Sequence, residues 1–434
     1  MKSNGSYTAV IWDAQPSAVA VFSAEETGSV GAARPLIRGH AGAVLDFDFN
    51  PFNDLQLLTA SEDCTLKLWE YPENGLSQDL STPLVTLQGH SKKVTAVSFN
   101  PSAAFISASA SQDNTLKVWA LERATALYSL QPANTPCHSL QWNRTGSLLA
   151  SSWKDQLIRL IDPRTNDTVV QYQAHDGAKP AKIAWSGRAD SLVTCGFAKN
   201  GDRKVAIWDL RNVGKPLGFD LVSNGTGILY PFVEADLPFL FVVGKGDRSF
   251  TLFQLTETAP GLQLLETCAF PGAVKGFSLL PRRRLNPGSG EMQRILRLID
   301  ENLSQIAIKP KRSEAAEDLY PPCIGLFPAL KATQWAQGGS GEPERVTMQE
   351  AANLPKRGIA YTPLEALVSR HIPKLEPVET PTGPASPPNT DAVAELRNKL
   401  HEVTAENVHL RATFEAYERL LFGCSAAEYE RNSH

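Results

Sequence analysis

Ser61-Glu62-Asp63-Cys64-Thr65-Leu66-Lys67-Leu68-Trp69 and Ser111-Gln112-Asp113-Asn114-Thr115-Leu116-Lys117-Val118-Trp119 are one phrase written twice, fifty residues apart. In both, an Asp stands six residues before a large apolar residue. The same offset recurs in Asp155/Ile161, Asp202/Trp208 and Asp247/Phe253, so successive Asps are 50, 42, 47 and 45 residues apart. His40 and His90, each preceded by Gly, lie 29 residues before Trp69 and Trp119, and His175 stands in the same role before Trp208. His, a strand Ser or Thr, a turn Asp and a strand Trp can form a hydrogen-bonded chain that pins the turns of one small sheet.

Short strands around an Asp turn, repeated at this period, mark the blades of a WD-repeat β-propeller. The expected fold is all-β: a seven-bladed WD-repeat propeller over 1–315, followed by a C-terminal extension over 316–375 docked on it. After a first strand pair between Tyr7 and Phe22, blades fall near 36–88, 89–131, 132–174, 175–221, 222–270 and 271–315. The first blade reads as incomplete. No strand before Tyr7 is evident to close the ring, which points to a shortened start or to closure by the segment after Pro310. Asp63, Asp113, Asp155, Asp202 and Asp247, with His40, His90, His175, Trp69, Trp119 and Trp208, read as blade-pinning residues, because they come one set per repeat.

Residues 376–390 are rich in Pro, Thr and Ser and read as a linker. Beyond it, Val393, Leu396, Leu400, Val403, Asn407, Leu410, Phe414, Tyr417 and Leu421 alternate spacings of three and four. That is the seam of an oligomerising coiled-coil helix over 391–423, with Asn407 as the one polar seam residue.

Composition excludes several functions. Lys and Arg number 42 against 46 Asp and Glu, a net charge of −4, so nucleic acid is not an expected partner. No apolar run reaches the length of a membrane span. Six cysteines without a Cys-x-x-Cys pair argue against a metal site and suit a reducing compartment. No nucleophile, base and orienter are spaced as a catalytic set, Gly244-Lys245-Gly246-Asp247 is a hairpin turn rather than a phosphate loop, and no cofactor is implied. A protein-binding platform remains. Lys92-Lys93 and Arg282-Arg283-Arg284 are the basic clusters that could hold an acidic protein surface.

Several stretches together resemble the short coronins. These are Ser61–Thr65 with Trp69 and Pro72-Glu73-Asn74-Gly75-Leu76; Lys154-Asp155 with Arg159–Arg164; Ala174–Pro180; Ser223-Asn224-Gly225; Pro310–Ser313 with Asp318–Pro321; and Trp335. The resemblance implies an actin-filament-binding regulator in the cytoplasm and cytoskeleton, oligomerised by its tail. The actin-nucleating complex of actin-related proteins is a further implied partner. The family's basic-aromatic leading segment, with its actin-binding arginine, has no counterpart here. The tail also lacks the Arg-apolar-x-x-apolar-Glu pattern of trimeric members, so dimer and tetramer stay open. The competing reading is a generic WD-repeat scaffold, such as a trafficking or ubiquitin-ligase adaptor.

Overall fold

The computed structural model describes residues 1–31, 34–187, 191–223, 225–234, 236–256, 260–309, 320–359 and 361. The linker and the coiled-coil seam lie outside the described residues. Within them are seven four-stranded sheets, every neighbouring pair antiparallel. Blade 3 is typical: Val94–Phe99, Ile106–Ser111, Leu116–Ala120 and Thr125–Leu130 run from the central channel to the rim.

Side-chain size follows position in the blade. The second strand of blade 3, Ile-Ser-Ala-Ser-Ala-Ser, is buried on both faces, and its small residues let neighbouring blades approach. Large residues fill the space between blades: Trp119 packs with Leu58, Leu66 and Leu68 of blade 2, and Trp69 with Tyr7, Val19 and Ile37 of blade 1. Each such burial stabilises by roughly 1.5–3 kcal/mol. The outer strand Leu262–Ala269 of blade 6 is largely exposed.

The first blade is complete, contrary to the sequence reading. Lys2–Ser3 forms its inner strand, then Tyr7–Ile11, Val19–Ser23 and Leu36–Ile37. Leu36–Ile37 therefore ends blade 1 rather than opening blade 2, which consists of Val44–Phe49, Gln56–Ser61, Leu66–Glu70 and Val85–Leu87. The sequence repeat is shifted by one strand from the blade.

Ring closure comes from a place the sequence did not suggest. Gly28–Ser29, in the connection between the third and fourth strands of blade 1, crosses to blade 7 and pairs with Asn302–Leu303 as its outer strand. Val30 N–H donates to Glu301 O at 2.7 Å beside it. On the channel side, Ser3 Oγ donates to Leu279 O of blade 7 at 2.7 Å. Neither the missing inner strand nor closure by the segment after Pro310 describes this ring.

A third tie sits on the face formed by the connections between first and second strands. Asp54 of blade 2 is fully buried, and its carboxylate meets Arg283 of blade 7 at 2.5 Å. Ser6 Oγ of blade 1 donates to the same carboxylate at 2.8 Å. Asn4 Nδ2 and Tyr71 OH donate to Asp54 O at 2.8 and 2.6 Å. Gly5 must lack a side chain here, because a Cβ would stand 2.7 Å from Arg283 Nε and 2.9 Å from Asp54 Oδ2.

Residues 320–361 cross this same face. Trp335 is fully buried in the short helix Ala332–Ala336, edge-on to Trp142, and donates to Gly146 O at 2.6 Å. Leu330 exchanges backbone bonds with Ser102 and Ala104, and Lys356 O and Ile359 N–H bond Asp54 and Phe52. Arg345 joins Arg144 on the buried carboxylate of Asp236 in blade 6.

Asp54→Ala strands the Arg283 guanidinium in a dry site and is expected to cost about 3–5 kcal/mol. Urea unfolding of the variant against the wild-type chain measures this.

Candidate interaction surface

Because the strands alternate in direction, connections between blades and those between second and third strands all emerge on one face. The other face carries the remaining connections and residues 320–361. The pinning His and Asp residues all lie on the first of these faces.

In blade 2, Trp69 Nε1 donates to Thr59 Oγ1 at 2.9 Å, and Thr59 Oγ1 lies 2.7 Å from His40 Nε2. His40 Nδ1 stands 2.8 Å from Asp63 Oδ2, which also accepts Ala41 N–H. With His40 neutral the donors run one way, from Trp to Thr to His to Asp. Blade 3 repeats the chain through Trp119, Ser109, His90 and Asp113, at 2.8, 2.8 and 3.0 Å. Burial pushes both imidazoles below their usual range, against the pull of their Asp partners. Burial also opposes charge on Asp113, but bonds from Thr115, the Ser91 N–H and His90 outweigh it and hold the carboxyl far below the carboxylate range.

The later blades keep less of the chain. In blade 4, Trp153 Nε1 donates to Ser151 Oγ, and Asp155 is clamped by Arg159 at 2.7 Å in place of a histidine. In blade 5, His175 Nε2 and Trp208 Nε1 each lie 2.9 Å from Thr194 Oγ1, but Asp202 accepts from Asn200 rather than from His175. Asp247 of blade 6 pairs with Arg203 of blade 5 at 2.8 Å, so it ties two blades instead of pinning its own turn.

The two basic clusters part company. Lys92 is exposed and Lys93 half-buried, 3.4 Å from Glu62, in the connection leading into blade 3 on the open face. Arg282 and Arg283 are 2% and 8% exposed on the opposite face, and Arg284 bonds Ser6 Oγ and Leu354 O. Arg283 and Arg284 are therefore structural mortar around Asp54 and Ser6, Arg282 is buried with its charge acting on Asp236, and the cluster cannot share one contact with Lys92 and Lys93. The sequence reading missed other cations on the open face: Lys154, Lys179, Lys199, Lys245 and Arg248, all exposed and spread over blades 4 to 6. Assigning each turn to a face would have found them. The turns of blades 7 and 1 carry the exposed acids Asp300, Glu301 and Asp13, so the face is basic on one side and acidic on the other.

Among the described residues, no three His, Cys, Asp or Glu side chains are grouped to hold a metal ion, and no helix is long and apolar enough to cross a membrane.

The family model for the "WD domain, G-beta repeat" matches residues 34–70 and 81–120, the two repeats whose pinning chains are complete. Over 349 residues the chain is 39% identical to Coronin-A of Dictyostelium discoideum, covering 80% of this chain and 78% of that protein. The chain belongs to the coronin family. The crystal structure of the WD40 domain of Toxoplasma gondii coronin superposes with a TM-score of 0.74 at 29% identity, covering 80% of this chain and 90% of the other. A chain of the Mitotic Checkpoint Complex crystal structure shares the fold at 15% identity and a TM-score of 0.55, covering 71% of this family member and 86% of itself.

Two outcomes are expected. Asp113→Ala removes an acceptor shared by His90, Ser91 and Thr115 and should cost about 1–3 kcal/mol, whereas Asp202→Ala should stay within about 0.5 kcal/mol by thermal melting. His175 is held at about 4 against an ordinary 6.5, mainly by burial. Between those values the unfolded chain takes up a proton that the folded chain refuses, so stability falls as pH falls through that window. His40, His90 and His138 act in the same direction. Melting temperature should drop from neutral pH toward the lower end of this window, less steeply in His175→Asn.

Proposed function

We propose that the chain is an actin-filament-binding regulator of the cytoskeleton, with the open propeller face as its platform and no chemistry of its own. The observation that carries this reading is the asymmetry of the disc in a coronin-family chain. Residues 320–361 cover one face, while the other presents Lys92, Lys154, Lys179 and their neighbours. Acidic protein surfaces are the complement of such a face, which raises encounter rates and fixes orientation. The seam from Val393 to Leu421 supplies self-association, so that one assembly engages several filament subunits and gains avidity. The actin-nucleating complex of actin-related proteins is a further partner on this reading, and the cytoplasmic cytoskeleton is the location.

Co-sedimentation with actin filaments tests it. The full chain should pellet with filaments, and Lys92→Glu with Lys93→Glu should weaken pelleting by about tenfold at unchanged melting temperature. A chain without residues 391–434 should become a folded monomer by light scattering and pellet less well. Absence of pelleting by the full chain at low salt would sink the filament reading.

A further inference from the structure

Between blades 4 and 5 the open face dips into a shallow, solvent-open crevice with room inside for only a water-sized group. Its walls include His138 at the start of the inner strand Cys137–Trp142, Lys154 from the turn before Leu157–Asp162, and Lys179 from the connection into blade 5. His138 is half-buried, and its ring has no hydrogen-bond partner among the described residues. Lys154 is exposed and its ammonium likewise has no partner there. Lys179 lies over the Phe197 ring and donates to Thr226 O at 2.8 Å, which fixes the position of its ammonium. Lys182 stands behind, donating to His138 O at 2.7 Å.

No Asp or Glu lines the crevice itself. Asp155 is held by Arg159, and Asp176 accepts the Lys199 N–H at 3.1 Å. Lys154 and Lys179 thus line the crevice with no acid between them, and the exposed Asp176 stands outside the lining. Burial, then the charges of Lys182 and Lys154, push the His138 imidazole down. Burial is the larger of these causes, and the two ammonium charges add to it.

We propose that this crevice docks a carboxylate-bearing side chain of an acidic protein segment. The shallow opening admits a carboxylate at its mouth rather than a whole small molecule, and its donors come from one strand start and two separate connections, so an extended acidic segment can lie across them. The inference rests on the open face being the partner platform, and on the filament reading the carboxylate belongs to a filament subunit.

The probe is a fluorescein-labelled octaglutamate peptide titrated into the full chain by anisotropy, with inorganic phosphate and sodium chloride as competitors at matched ionic strength. Binding should weaken with salt and fall about tenfold or more in Lys154→Glu/Lys179→Glu at unchanged melting temperature. Lys92→Glu/Lys93→Glu, elsewhere on the same face, should weaken peptide binding less than Lys154→Glu/Lys179→Glu does. Peptide affinity unchanged in Lys154→Glu/Lys179→Glu, or no peptide binding by the wild type, overturns the proposal. So does displacement by phosphate beyond that by chloride, which would assign a free-anion site. Filament co-sedimentation of the same variants separates the two ideas. Loss of peptide binding with wild-type pelleting keeps the crevice and removes it from the filament contact, while failure of the wild type to pellet removes the filament reading alone.

Discussion

A ring of seven blades is only as firm as the joint between the last blade and the first, and here that joint converges on the buried pair of Asp54 and Arg283. Taking two charges out of water costs several kcal/mol per ion, so such a pair contributes little net stability unless its remaining donors and acceptors are met. Here they are met: Ser6, Asn4 and Tyr71 surround the aspartate, and Lys356 O accepts its N–H. The pair thus spans blades 7, 1 and 2, and residues 320–361 close over it. Gly28–Ser29 at the rim and Ser3 in the channel complete the joint at the other two radii.

The pinning chains grade from complete in blades 2 and 3 to partial beyond, and the structure substitutes rather than omits. Arg159 takes the histidine's place beside Asp155, and Arg203 reaches across to Asp247. The inner strands are stitched as well: Trp142 Nε1 donates to Ser98 O and Trp185 Nε1 to Gln141 O, each reaching back one blade. In blade 2 the carboxylates of Asp46 and Asp48 accept the N–H groups of Val97 and Phe99, with Lys2 3.2 and 3.5 Å away to balance the charge.

The blades were legible in the sequence because a period of Asp and Trp repeats one local physical device, and each copy supports the next. The closing strand was not, because Gly28–Ser29 is two residues long and carries no alternation of its own. Lys2–Ser3 escaped for the same reason. The Arg282–Arg284 cluster misled because a run of three cations reads as a solvated surface unless its partner is known, and Asp54 lies 229 residues from Arg283 in sequence. Which cations share a face depends on strand direction, so Lys154 and Lys179 became visible as neighbours only once the blades were laid out.

The one-strand shift between repeat and blade has a consequence for building with this fold. Transplanting residues 81–120, one repeat, would carry away Val85–Leu87, the rim strand of blade 2, while leaving behind Thr125–Leu130, the rim strand of blade 3. The unit that can be exchanged without tearing a sheet is a blade cut at 88 and 131. Even then, the graft must bring its own acceptor for the neighbour's inner tryptophan.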